Sequence, residues 1–122
     1  MNKISLAVGF IALLASSANA EIYHCKLKPN LTRGWAPANM YLDTEKSVLL
    51  TGDEDIKVSK SGSSYFWRMN LRARNGGYFQ VRYTLRVGSG IGPQNPVPSS
   101  LNIRVKGNQD EDDRGTCEVY TG

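Results

Sequence analysis

Between Ser64 and Gly88 the chain alternates apolar and polar residues with period two. Odd positions Tyr65, Trp67, Met69, Leu71 and Ala73 are apolar, and so are Phe79, Val81, Tyr83, Leu85 and Val87. Even positions hold Arg68, Asn70, Arg72 and Arg74, then Gln80, Arg82, Thr84 and Arg86. A strand puts successive side chains on opposite faces, so the pattern predicts two strands, each with one buried and one wet face. Asn75-Gly76-Gly77 separates the runs and tolerates positive φ, which predicts a hairpin. Parity limits the register. A two-residue turn at Asn75-Gly76 would split the apolar set between two faces. A three-residue loop with Gly77 in the left-handed region keeps the set together, pairing Ala73 with Phe79 and Trp67 with Leu85.

Shorter alternations predict further strands at 22–28, 39–43, 47–51, 55–59, 101–106 and 116–120. The Gly- and Pro-rich stretch 88–100 reads as a loop. So does 107–115, whose acidic run Asp110-Glu111-Asp112-Asp113 is expected to be hydrated. No helical periodicity follows residue 20. Six to eight antiparallel strands predict an all-β domain, a small barrel or sandwich.

The first residues resemble a cleaved secretory signal. Met1-Asn2-Lys3 is a positive head, and Ile4 to Ala15 is apolar but too short to span a bilayer. Ser16 to Ala20 ends in an Ala-x-Ala pattern. The expected division is a signal peptide at 1–20 and a single all-β domain at 21–122. Loss of Lys3 takes the formal charge from +4 to +3. That excess is too small to announce nucleic acid, and no partner of that kind or membrane-spanning segment is expected. Export, to a bacterial periplasm or outside the cell, would place Cys25 and Cys117 in an oxidising compartment, which predicts a disulfide. The bridge would enclose 117 − 25 = 92 positions. Chain-entropy reasoning values such a closure at roughly 4–5 kcal/mol. It would staple the first strand to the last.

The chain offers little for catalysis. Its sole histidine, His24, lies on the polar face of the first strand. No nucleophile elbow accompanies it, and no metal-ligand set or phosphate loop is present. The expectation is a protein that is not an enzyme, with no catalytic residue, metal or cofactor. Carboxylates cluster only at Asp53-Glu54-Asp55 and Asp110 to Asp113. Acid–base chemistry would require the fold to bury and converge two of them. The basic face carries more. Arg68, Arg72, Arg74, Arg82 and Arg86 share the wet side of the hairpin with Phe66 and Tyr78. In the expected register Arg68 faces Thr84, Arg82 faces Asn70 and Arg72 faces Gln80, which avoids like-charge pairs. This face suits an anionic ligand or an acidic patch on an envelope protein. The plainer reading is a soluble exterior. Trp35 is expected to act as a lid over one end.

Tyr23-x-Cys25, Gly34-Trp35-Ala36-Pro37 and Gly115-Thr116-Cys117 resemble a family of small exported bacterial β proteins. That resemblance implies a fold and a compartment without an activity. Tyr23-His24-Cys25, Ser61-Gly62-Ser63-Ser64-Tyr65, Phe66-Trp67 and Cys117 are similar to the bacterial inhibitors of C-type lysozyme. Those are small antiparallel barrels that insert a loop into the lysozyme cleft. The resemblance implies binding roles for Ser61, Gly62 and Tyr65, although Trp67 follows Phe66 without the family's intervening segment. The expected function is a periplasmic or secreted binding module. A lysozyme inhibitor and a structural envelope protein are the alternatives.

Overall fold

Short turns separate the strands, so neighbours in sequence become neighbours in space. The computed structural model describes residues 21–31 and 33–122; the expected signal peptide lies outside them. The strands are β1 Ile22–Lys28, β2 Asn39–Asp43, β3 Val48–Leu50, β4 Asp55–Lys57, β5 Ser59–Ser61, β6 Ser64–Arg72, β7 Tyr78–Val87, β8 Val97–Arg104 and β9 Glu111–Val119. Among the described residues there is no helix. The nine strands form one sheet in the order β4-β3-β2-β1-β9-β8-β7-β6-β5. Every pairing is antiparallel. This is an up-and-down sheet rolled into a nearly closed barrel, not a sandwich.

Closure happens at two places. At the first, β9 returns to β1 and sets Cys117 directly opposite Cys25, where the two form a disulfide with an S–S length of 2.05 Å. Here β9 runs so close to β1 that a Cβ on Gly115 would sit 1.9 Å from the Lys26 carbonyl oxygen. At the second, the chain bends at Val58, whose buried side chain separates β4 from β5. Val58 N donates to Ser47 O at 2.9 Å. Thus β4 stays on β3, while β5 turns to pair with β6.

The second closure is incomplete. Ser59 faces Phe66 and Ser61 faces Ser64. Continued through Val58, the same register would set Lys57 opposite Arg68 and Asp55 opposite Asn70. Pairing stops before that point. A seam therefore remains between β4 and the second half of β6. It forms a recess of about 530 Å³ lined by Asp53, Glu54, Asp55, Lys57, Arg68 and Asn70, among others.

The inward positions of the strands fill the barrel. Leu42, Val81, Leu85, Leu101 and Ile103 are almost fully buried, as is the disulfide. Trp67 stacks on Tyr83 with ring centroids 5.2 Å apart.

The strand expected at 55–59 breaks at Val58 into β4 and β5, and three further sequence expectations need correction. First, the β6–β7 loop has the expected length but sits one residue earlier. Ala73 N donates to Gly77 O at 2.7 Å and Gly76 N to Ala73 O at 3.0 Å. Gly76, with φ 91, takes the left-handed conformation instead of Gly77. The Asn75 side chain supports the turn by accepting from Gly77 N at 2.9 Å. Leu71 consequently faces Phe79, and Trp67 faces Tyr83. A shift of two preserves parity, so the faces hold while the partners change. Second, β8 starts at Val97, inside the segment expected to be a loop. Third, β9 starts at Glu111, inside the acidic run.

Candidate functional site

The corrected register lines up arginines that were expected to stagger. Arg68 faces Arg82, not Thr84, and Arg82 faces Arg104 on its other side. Arg72 faces Tyr78, not Gln80. Three guanidinium-bearing side chains therefore stand on three adjacent strands in one outward row, all exposed. Only Arg104 has a carboxylate partner, Asp110, with Nε to Oδ2 at 3.3 Å. Among the described residues no ion pair holds Arg68 or Arg82. Each like-charged cross-strand pair is unfavourable by about 0.2–1 kcal/mol.

Two recesses flank this row. The larger, about 710 Å³, is lined by Phe79, Gln80, Arg82, Arg104, Lys106 and Asn108, among others. The other is the seam beside Lys57 and Arg68. Arg86 stands apart: it faces Ser64 on one side and Ser100 on the other. Four residues from Arg82 along β7, it lies roughly 14 Å away at the usual strand rise. Arg72 and Arg74 are exposed near the hairpin tip. The face expected from sequence is thus real as exposed surface, but its centre is Arg68, Arg82 and Arg104. Arg86, Arg72 and Arg74 are peripheral to it.

The segment expected to act as an inhibitor loop divides in two. Ser61, Gly62 and Ser63 are exposed at the β5–β6 turn, where Gly62 adopts φ 61. Tyr65 points inward and is buried. Its ring meets Tyr23 edge-on at 6.3 Å, and Lys60 Nζ lies 5.7 Å from its centroid. Desolvation is the main cause of the raised pKa of Tyr65. Tyr65 therefore braces the turn from within. His24 stacks on Tyr41 at 4.4 Å, with its Nε2 3.0 Å from Asn39 Oδ1.

The acidic run is the largest departure from the sequence reading. Asp110 and Asp112 face water, but Glu111 and Asp113 are only 2% and 1% exposed. Strand alternation explains this. Counting back by twos from the inward Cys117 gives Gly115, Asp113 and Glu111. Asp112 accepts a hydrogen bond from Asn102 Nδ2 at 3.1 Å. Inside the barrel, Glu111 and Asp113 hydrogen-bond each other, and Leu31 adds a backbone hydrogen bond to Glu111. Asp113 Oδ1 accepts from Asn30 N at 2.9 Å. Glu111 Oε1 is buried without a hydrogen-bond partner. Burial first, then the hydrogen bond and charge of Asp113, raise the Glu111 pKa to about 7. The nearby Arg33 charge and the Leu31 bond oppose the rise.

Residues 29–31 and 33–38 cover this end of the barrel. Arg33 Nη1 donates to Gln109 O at 2.6 Å, and its guanidinium lies 4.3 Å over the Trp35 ring. Trp35 tilts against Phe79 at 6.0 Å and packs on the core. Tyr83 Oη donates to the Trp35 carbonyl. Burial, with a smaller contribution from the Glu111 charge, pushes the Tyr83 phenol up to about 12. The carboxylate pair is therefore fastened to this covering segment, and neither acid lines the recesses that flank the arginine row.

Among the described residues, no three His, Cys, Asp or Glu side chains gather to hold a metal. No described helix is long and apolar enough to cross a membrane. The disulfide points to an oxidising environment. Compared with known proteins, the chain matches no family model, no curated protein and no solved structure.

Proposed function

We propose that this is a non-catalytic binding module, exported to the bacterial periplasm or beyond, that takes an anionic ligand on the outer face of β6, β7 and β8. One observation carries the reading: Arg68, Arg82 and Arg104 stand directly opposite one another, two of them without an ion-pair partner among the described residues. A bound anion would relieve their mutual repulsion, and guanidinium is well shaped for bidentate contact with carboxylate or phosphate. The signal-like stretch at 1–20 and the disulfide support export. The test is Arg68→Glu combined with Arg82→Glu. The wild type should be retained on an anionic polymer matrix at low salt and released as salt rises. The double variant should flow through while keeping its β-sheet circular dichroism. Equal retention of both proteins refutes the reading, as does failure of the wild type to bind any anionic matrix.

A second reading is inhibition of a C-type lysozyme. It is supported by the exposed Ser61-Gly62-Ser63 tip, braced by buried Tyr65, on a small antiparallel barrel. Micromolar protein should then inhibit lysozyme, and Ser61→Arg should abolish the effect. Unchanged lysozyme activity removes this reading.

A further inference from the structure

Across the seam from Arg68, Lys57 shares its recess with Asp53, Glu54 and Asp55, so the basic row ends at Arg68. Arg68, Arg82 and Arg104 stand directly opposite one another on three adjacent strands. At the far end, Asp110 holds Arg104 in an exposed ion pair. Neighbouring strands lie about 4.8 Å apart, so the row presents one cation roughly every 5 Å. That period is close to the length of one pyranose ring. Phosphate chains without sugars carry their charges more closely than this. Beside Arg82 and Arg104, the larger recess offers an apolar wall at Phe79 and amides at Gln80 and Asn108. An apolar wall suits a sugar ring face, and amides suit its hydroxyls.

We infer that the ligand of this row is a linear acidic glycan with one carboxylate per sugar, laid across the strands from Arg68 to Arg104. The inference rests on the anion-binding reading and adds the ligand class. Each uronate would meet one strand. At the end of the track, a ligand carboxylate would replace Asp110 on Arg104.

Titration of the disulfide-bonded protein with oligogalacturonates of increasing length tests this, with free galacturonate, inorganic polyphosphate and dextran sulfate as comparators. Affinity should rise at least about tenfold from the monomer to the trimer, as further sites on one track are engaged. It should then level off. Arg82→Ala should weaken trimer binding by about threefold, the scale of an exposed charge contact. Asp110→Asn should strengthen binding by freeing Arg104. If polyphosphate or dextran sulfate of similar length binds as tightly, or Asp110→Asn has no effect, the glycan inference is overturned and the anion-binding reading stands. The same holds if affinity grows without a plateau, or if free galacturonate matches the trimer. If no anion binds, the anion-binding reading itself falls, and this inference with it.

Discussion

Glu111→Gln should change how stability depends on pH. In the folded chain the Glu111 pKa is raised from 4.5 to about 7. A raised carboxyl pKa means that the folded state holds its proton more tightly than the unfolded state. Below about pH 4.5 both states are protonated, and the group's contribution to stability is fully present. Between pH 4.5 and 7 the unfolded chain releases the proton while the folded chain keeps it, so stability falls. Above pH 7 both states are ionised and the loss levels off. The shift corresponds to about 3 kcal/mol lost across that window. Gln cannot titrate, and its amide can still donate to Asp113. The wild type should therefore lose about 3 kcal/mol relative to the variant between pH 4 and pH 8. With a urea slope of about 1.5 kcal/mol/M, the relative midpoint shift is about 2 M. The assay is urea unfolding of both oxidised proteins, monitored by tryptophan fluorescence, at several pH values across the window. Parallel stability curves would refute the proton-sharing account of the pair.

Other substitutions test the remaining parts of the fold. Cys25→Ser with Cys117→Ser should lower stability by roughly 4 kcal/mol in urea unfolding, because the bridge closes 92 positions of chain. Gly115→Ala places a Cβ where Lys26 O already stands, so β1 and β9 must separate. Amide exchange across that strand pair should quicken, and stability should fall by at least about 2 kcal/mol. Arg82→Thr removes both like-charge contacts of the row. It should raise stability by about 0.5 kcal/mol at low salt, and the gain should vanish at high salt.

The β fold was legible wherever a strand has one wet face and one dry face. β1, β2, β6 and β7 announce themselves through strict alternation, and Cys25 and Cys117 fall on inward positions as expected. β5 was missed because Ser59, Lys60 and Ser61 are all exposed and polar, which removes the periodic signal. β9 was cut short for a different reason. Its inward positions carry Glu111 and Asp113, and four consecutive acids resemble a hydrated turn. The inward Cys117 held the missing clue, since its parity extends back through Gly115 to both acids. The basic face was visible in the sequence, but its sharpest feature was not. Whether the arginines stagger or align depends on which glycine of Gly76-Gly77 adopts positive φ, and either choice preserves the hydrophobic pattern. The contacts between the β1–β2 connection and the carboxylates join residues such as Asn30 and Asp113, which no local pattern connects.

The seam also bears on how copies of this protein treat one another. The Ala73–Gly77 and Ser63–Val87 backbone bonds show that odd residues of β6 bond to β7. Alternation then aims the amides and carbonyls of Arg68, Asn70 and Arg72 at the seam. Such an edge is a template on which a second chain could add a strand, the first step towards aggregation. The side chains guarding it are Lys57, Arg68 and Arg72, with Asp53, Glu54 and Asp55 beside them. An approaching copy would meet its own cations on the facing edge. Protection by charge is screened by salt, so edge-to-edge association belongs to concentrated protein at high ionic strength.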